Sequence, residues 1–275
     1  MKSIYEKLNF IVLCVFILSS FQIFCQSEDS IQPTSNDDKL AAAIQNPVAS
    51  LVSIPFQNNL DFNDRNTNTL NIQPVFPFNL GEKVSLVART IIPVVSASLY
   101  SESSPNAKIK GIGNISSALF LTPAKPGKLI WAVGPTLTFG TVTQGVGTNK
   151  FSIAPSGLLL YQNSGLTIGT IIQNSWSVAG PSDAADVNLF YSQIFIVKNL
   201  KKGWYVNTAP IITANWEADS SHRWTVPLGA GFGKLSKINK LPVNWQVGYY
   251  GYIEHPTGAK SQLRFQVVFI LPKLY

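Results

Sequence analysis

Apolar and polar residues alternate with a period of two along most of this chain. The stretch near its end shows this most fully. Alternate positions read Leu263, Phe265, Val267, Phe269, Leu271, Lys273 and Tyr275, all apolar or aromatic apart from one Lys. The intervening set begins Gln262, Arg264 and Gln266, then turns apolar at Val268 and Ile270. Period two with two unlike faces predicts a β-strand. An amphipathic last strand that stops on an aromatic residue is the form in which a transmembrane barrel closes. It is also the form recognised by barrel-insertion machinery, so that machinery is an expected partner.

The same alternation predicts twelve strands, at Ser50–Phe56, Thr69–Phe78, Val84–Pro93, Gly113–Leu121, Leu129–Phe139, Phe151–Tyr161, Leu166–Val178, Val187–Val197, Trp204–Trp216, Trp224–Leu235, Val243–Ile253 and Leu263–Leu271. Most have the length that crosses a bilayer at a tilt. The connections fall into two classes. Asn79–Lys83, Thr122–Lys128, Asn163–Gly165, Asn199–Gly203 and Asn239–Leu241 are short, and most carry Gly, Pro or Asn. Gln57–Asn68, Val94–Ile112, Gly140–Lys150, Ala179–Asp186, Glu217–Arg223 and Glu254–Gln262 are longer and alternate with them. An even-stranded outer-membrane barrel has this arrangement, with short periplasmic turns and long outer loops. The predicted fold is an all-β, antiparallel, up-and-down transmembrane barrel of about 12 strands with a short N-terminal helix. Trp131, Trp176, Trp204, Tyr205, Trp216, Trp224, Trp245, Tyr249 and Tyr250 lie near strand ends, where aromatic girdles are expected.

Composition sharpens this picture. The chain is 45% apolar but only 13% charged, about half the ~25% of soluble domains. No run of about 20 apolar residues follows the N-terminus, so helical spans are not expected there. A soluble β-sandwich would carry a charged outer face, which this composition does not supply. Outer-membrane lipid is therefore the expected solvent of the apolar face. At the front, Lys2 and Lys7 precede an apolar run from Phe10 to Phe24, followed by polar residues after Cys25. This predicts a cleaved signal peptide over 1–25, a tail and short helix over 26–47, and the barrel over 48–275. Asp37 and Asp38 precede Lys39–Gln45 as helix-start residues, and Asn46-Pro47 ends the helix. That segment is expected to pack near the periplasmic mouth or to fold into the lumen as a plug. Both cysteines, Cys14 and Cys25, lie in the leader, which leaves the mature chain without thiol chemistry. Loss of Lys2, Lys7 and Glu6 leaves 19 basic against 13 acidic residues of the 21 and 14 in the whole chain. That dispersed surplus gives no nucleic-acid footprint.

Polar residues within strands should face the lumen, because Lys or Arg at mid-membrane on the lipid face costs about 2–4 kcal/mol. The candidates are Asn71 and Gln73, Arg89, Asp186 and Asn188 at the start of the eighth strand, Asn207, Asn215 and Glu217, Gln246 and Glu254, and Arg264. Arg89 and Arg264 are the candidate lumenal cations. Asp186, Glu217 and Glu254 are their candidate partners toward the outer end. These residues either brace the barrel or touch a small-molecule solute.

Several segments resemble a bacterial outer-membrane β-barrel transporter family often mislabelled "neuromedin U" and akin to barrels grouped with the meta-pathway of phenol degradation. They are Asn46–Asn59 (NPVASLVSIPFQNN), Leu70–Phe78 (LNIQPVFPF), Ala88–Pro93 (ARTIIP), Trp131–Pro135 (WAVGP), Ala185–Asn188 (ADVN), Trp224–Pro227 (WTVP) and Lys240–Val243 (KLPV). In order, they run through most of Leu40–Lys273. At Ala154–Gly157 the chain departs from a Gly-Pro pair common in that family. The resemblance implies an outer-membrane channel or facilitator that passes a small, apolar or aromatic solute through a narrow lumen. It carries over no solute-binding residues and no cofactor.

Two rival functions are weighed against this. The first is a sealed barrel with a structural or surface-interaction role. The second is a barrel-embedded lipid hydrolase, which needs Ser and His on one face with a polar orienting residue. The only histidines, His222 and His255, fall in predicted outer loops. No nucleotide, zinc or hydrolase motif is present, and neither His has a partner at metal-ligand spacing. The sequence therefore predicts neither enzyme nor metal or cofactor site.

Overall fold

A computed structural model describes residues 36–62, 66–98, 108–140, 142–143 and 145–272. The predicted signal peptide, most of the tail and the last three residues lie outside them. A helix, α1 (Asn36–Ile44), is followed only by strands and short 3-10 turns. The strands are β1 (Val52–Phe62), β2 (Thr67–Ile72), β3 (Val75–Asn79), β4 (Val84–Ser98), β5 (Lys108–Ile112), β6 (Ile115–Pro123), β7 (Leu129–Phe139) and β8 (Phe151–Asn163). They continue with β9 (Leu166–Ala179), β10 (Asn188–Asn199), β11 (Trp204–Thr208), β12 (Ile211–Asn215), β13 (Trp224–Ile238), β14 (Leu241–Glu254) and β15 (Ser261–Leu271).

Fifteen segments make twelve staves, because three staves are each interrupted once. β2 and β3 both pair with β4 in one register, and Pro74, which has no N–H to donate, stands between them. β11 and β12 both pair with β10 and are parted at Pro210. β5 and β6 both pair with β4, but the register shifts by one residue at Gly113-Asn114, a β-bulge. Every stave pairs antiparallel with its sequence neighbours, and β1 pairs with β15 over its whole length, from Val52↔Leu271 to Phe62↔Ser261. The sheet is closed. Following the registers once around returns to β1 about fourteen residues from the start, a stagger that tilts the strands roughly 40° from the axis.

The turns are as short as predicted at the end that carries both described ends of the barrel, the periplasmic end in barrels of this kind. β8 and β9 are joined by Ser164-Gly165 alone, both with positive φ (46° and 76°), a twist that suits a two-residue hairpin. The first outer connection is much shorter than expected. Gln57–Phe62 continues β1 instead of forming a loop: Gln57, Asn59 and Asp61 face inward while Phe56, Leu60 and Phe62 alternate outward. A run of amides looks like a loop in sequence, but in a barrel wall it is ordinary lumenal lining.

The lipid-facing parity carries the exposed apolar side chains, among them Leu159, Ile172, Phe232, Leu263 and Phe265. Trp131, Trp204 and Trp245 ring the short-turn end, and Trp176, Trp216 and Trp224 ring the other, giving the two expected girdles. Tyr205 and Tyr250 do not belong to either. Their side chains point into the lumen and are 1% and 0% exposed. Three inward glycines on β13 make room for them. A Cβ at Gly233 would overlap the Tyr205 ring, and one at Gly229 would press on the β14 backbone beside Tyr250.

The N-terminal segment lies inside the barrel mouth. Ala41, Leu40 and Ile44 of α1 pack on Leu235, Val268 and Ile270 of β13 and β15. On the opposite wall, Gln162 Nε2 donates to the Ala42 carbonyl at 2.8 Å. Asn46 ends the helix by accepting from the Val48 N–H through its own Oδ1 at 3.0 Å. Val48 then enters a cluster of inward side chains that includes Val75, Val87, Phe120, Leu158 and Phe195. Of the two expected placements, the structure shows the plug.

Gly233→Ala should destabilise the folded barrel by about 1–3 kcal/mol, since nothing in a packed lumen yields to the added methyl. Gly157→Ala, whose Cβ meets nothing within 4 Å, should change stability by less than about 0.5 kcal/mol. Urea unfolding of both variants in lipid vesicles checks the contrast.

Candidate functional site

The lumen has two unlike walls. One, built by β3, β4, β6 to β10 and the β11–β12 break, is apolar below its middle: Val75, Val87, Phe120, Ile130, Ala132, Leu158, Leu160, Ile171, Phe195 and Ala209 form a single cluster. The other, built by β14, β15 and β1, carries amides and a guanidinium. Between them, bounded below by residues 43–51 of the plug, lies a cavity of about 140 Å³.

Arg264 is the hub of the polar wall. Its side chain is 2% exposed. Nε donates to Asn59 Oδ1 at 3.1 Å, Nη2 to Gln262 Oε1 at 2.9 Å, and Nη1 reaches across the lumen to the Ala209 carbonyl at 2.7 Å. The guanidinium lies 4.5 Å from the centre of the Tyr250 ring, a cation–π contact. The Tyr250 hydroxyl accepts from the Ala209 N–H at 3.3 Å. Thus both backbone groups of Ala209, freed by the break at Pro210, are answered by lumenal side chains. The charge of Arg264 is balanced at one remove. Gln262 Nε2 donates to Asp61 Oδ1 at 2.8 Å and to the Tyr252 hydroxyl at 2.8 Å, and that hydroxyl donates to Asp61 at 2.6 Å.

Arg89 lines the same cavity and donates from Nη2 to Gln73 Oε1 at 2.6 Å. The rest of the polar lining is Gln57, Gln193, Asn207, Gln246 and Gln266 from the walls, with Ser53 of β1 and Gln45 and Asn46 of the plug. The cavity lining includes two guanidiniums and no carboxylate. Asn207 is buried, and its Oδ1 has no hydrogen-bond partner among the described residues.

The predicted lumenal residues therefore divide. Gln73, Arg89, Asn207, Gln246 and Arg264 meet at the cavity. Asn71 is inward but higher, opposite Gln57 and Pro93. Asn215 is on the inward parity at the outer rim, where its Oδ1 accepts from the Glu217 N–H at 3.2 Å. Four assignments need correction. Asn188 is on the outer parity, since it lies opposite lipid-facing Trp176, and its Oδ1 accepts from Asn174 Nδ2 at 3.0 Å. Asp186 belongs to an outer loop and pairs with Lys150 at 3.2 Å. Glu217 is an exposed turn residue, and Glu254 ends β14 at the outer rim. None of these acids partners Arg89 or Arg264. Gly248 stands opposite Arg264, and Glu254 lies six residues further along β14, roughly 20 Å away.

Gln57, Asn59, Asp61, Gln193, Gln262 and the two buried tyrosines are lumenal residues that the candidate set omitted. Period-two spacing of Gln57, Asn59 and Asp61 was the available signal for the first three. The apolar wall had none, since alternation cannot distinguish a greasy lumenal face from a greasy lipid face.

Near mid-wall, Pro135 of β7 lies opposite Pro155 of β8, and neither can donate to a ladder. The β8–β9 register has no paired residues between Ile153↔Trp176 and Ser156↔Gln173. An apolar groove of about 760 Å³ opens there on the lipid side. On the lumenal side Thr136, Ser156 and Gln173 close it: Gln173 Oε1 accepts from the two hydroxyls at 3.0 and 3.1 Å.

His222 sits on an exposed outer turn; its backbone N–H donates to the Asp219 carbonyl at 2.9 Å and its ring Nδ1 lies 2.9 Å from Ser221 Oγ. His255, in the loop after β14, is held below the ordinary imidazole range by burial, which Asp61 partly opposes. Its Nδ1 lies 3.2 Å from the Thr257 N–H. Neither histidine is part of a Ser–His–acid arrangement among the described residues.

No protein-family model matches this chain, and no curated protein does. Solved structures do. An outer membrane channel from Pseudomonas putida F1 superposes with a TM-score of 0.64 at 14% identity over 82% of this chain and 97% of that one. The NanC porin superposes at 0.50 with 7% identity, covering 80% of this chain and 100% of its own. Outer membrane phospholipase A from Escherichia coli gives 0.44 at 14% identity, over 88% of this chain and 100% of that one. At such identities the likeness shows the fold, that of bacterial outer-membrane barrels.

Arg264→Ala should cost on the order of 3 kcal/mol of barrel stability, because the Ala209 carbonyl, Asn59 and Gln262 lose a charged donor in a buried setting. Arg264→Lys should recover only part, having a point charge in place of a fork. Folded-to-unfolded gel mobility against urea concentration reads both.

Proposed function

We propose that this protein is an outer-membrane channel that passes a small solute with an apolar body by passive diffusion. The observation that carries this is the two-walled lumen: a buried cavity with an apolar surface on one side and convergent polar groups on the other. A barrel braced only for rigidity has no need of a cavity with unmet hydrogen-bonding capacity at its centre. Twelve strands lie between the eight that side chains fill and the sixteen or more that leave a water channel. A lumen of this size passes something small or nothing. The apolar wall and the apolar groove at Pro135 and Pro155 both favour a solute that water alone would not carry. The structural likeness to a solved outer membrane channel and a porin supports the reading through the fold.

In this reading the segment over residues 36–51 limits the flow. Among the described residues its contacts with the walls are the packing of α1 and of Val48, the Gln162 bond to Ala42 and a side-chain bond between Gln45 and Tyr205. None belongs to the ladder of the sheet, so the segment can leave without breaking it. Signal-peptide removal, outer-membrane lipid as solvent and C-terminal recognition by the insertion machinery belong to the same proposal.

Planar-bilayer recording of the refolded protein tests it. Discrete currents should appear, and deletion of residues 36–47 should raise unit conductance several-fold. Arg89→Ala should shift ion selectivity toward cations. A wild-type protein that is folded and inserted yet silent, with a plug-deleted form that is equally silent, returns the molecule to a structural role.

A further inference from the structure

The cavity lining carries two positive groups and no negative one, and this has a chemical consequence. A charge held away from water needs a counter-charge or a full set of hydrogen bonds. Arg264 has three bonds and a relay to Asp61 through Gln262. Arg89, which is part-buried, has one bond among the described residues, to a neutral amide. A guanidinium has five N–H donors, so most of those on Arg89 have no protein acceptor among the described residues. Asp61 of β1 is bonded to Gln262 and Tyr252 and is not part of the cavity lining. Asn207 adds a second unmet group. Its carboxamide lines the cavity, is 7% exposed and has an Oδ1 with no partner. Turned over, an exchange of O and N that leaves its shape unchanged, it offers an NH₂ to the cavity.

We infer that the cavity is a binding site for a monocarboxylate with a small apolar body, its carboxylate on the Arg89 guanidinium and the lining amides. This rests on the channel reading and names the class of solute. The planar fork of a guanidinium matches a carboxylate with two parallel hydrogen bonds. Val75, Phe195, Val197 and Val268 line the same space and give the body of the molecule an apolar surface. A bare anion such as chloride or phosphate would leave that surface unused. A cavity of about 140 Å³ is close to the size that holds one benzene ring. The favoured ligand is thus a single-ring or short-chain carboxylate.

The test is isothermal titration of the full-length mature protein in detergent with three molecules of one shape: benzoate, benzyl alcohol and benzylammonium. Benzoate should bind at least tenfold more tightly than the alcohol, and benzylammonium should not bind. An excess of sodium chloride or phosphate should not displace benzoate beyond the effect of ionic strength. Arg89→Gln should weaken benzoate binding about tenfold or more. Arg89→Lys, which keeps the charge and loses the fork, should weaken it less. Heat-modifiable gel mobility establishes that each protein is folded, and the wild-type comparison stands without either variant. Equal binding of all three molecules, no benzoate binding by folded wild type, displacement by chloride or phosphate alone, or wild-type affinity in a folded Arg89 variant each overturns the inference. Bilayer currents on the same preparation separate the two readings. A protein that conducts but does not bind benzoate remains a channel without this site. One that binds benzoate but does not conduct keeps the site and loses the channel.

Discussion

Everything in this molecule follows from the need of a backbone in hydrocarbon to find its hydrogen bonds within itself. An open sheet has two edges that lipid cannot satisfy, and the pairing of β1 with β15 over eleven residues removes them. The same need governs each place where a stave breaks. At Pro74, the Gln73 N–H is taken up by the Pro55 carbonyl and the Pro74 carbonyl by the Thr90 N–H. At Gly113-Asn114 the Asn114 side chain donates to the Phe139 and Thr148 carbonyls, and the Gly113 N–H reaches Pro93. At Pro210 the answer comes from across the lumen, from Arg264 and Tyr250. A local failure of the ladder has thus been turned into a fixed point for the central guanidinium. The β13 glycines belong to the same interior: a Cβ at Gly229 would press on the β14 backbone that carries Tyr250, and one at Gly233 would overlap the Tyr205 ring.

Much of this was legible in the sequence. Strand number, the alternation of short and long connections and the lipid-facing set of the last strand are all direct readings of period two. The lumenal placement of Gln73, Arg89 and Arg264 was legible too, but not their partners, which were expected to be acids at the outer end. What was not legible has a common cause. Alternation shows that two faces differ, yet not which of them meets lipid when both are apolar. Strand β8 runs Ile153, Leu159 and Tyr161 on one face and Ala154, Leu158 and Leu160 on the other, and only the closed sheet separates them. Asn188 failed for the converse reason. A polar residue at the outer rim can face outward at little cost, because the hydrocarbon ends there. Polar-means-lumenal holds at mid-membrane and weakens toward the girdles. The amide run at Gln57–Asn59 failed because loop composition and lumenal composition are alike.

The composition itself now has a structural reason. A soluble domain needs charge on its outside, whereas this barrel faces lipid there. Its inside is not a water-filled pore either, for the plug and the apolar wall pack against each other as a protein core does. Few positions are left at which a charge is cheap, and they are the turns and the outer loops. Most lysines therefore lie at strand ends, among them Lys83, Lys125, Lys128, Lys201, Lys202 and Lys240 in the short turns.

Two charges stand apart from that rule, and the contrast between them is the most informative feature of the interior. Arg264 is held by three acceptors and a nearby carboxylate relay, over an aromatic ring, with almost no exposure. Those are the marks of a brace, a group whose donors are used up by the protein. Arg89 is half-buried with one amide acceptor among the described residues, on a wall that is mostly apolar around it, and it lines a space that the plug bounds but does not fill. An arginine retained in such a setting is costly for the fold alone. On the proposed reading, bracing and solute contact, which the sequence left as alternatives for one set of residues, are divided between two arginines: Arg264 for the fold, Arg89 for the solute.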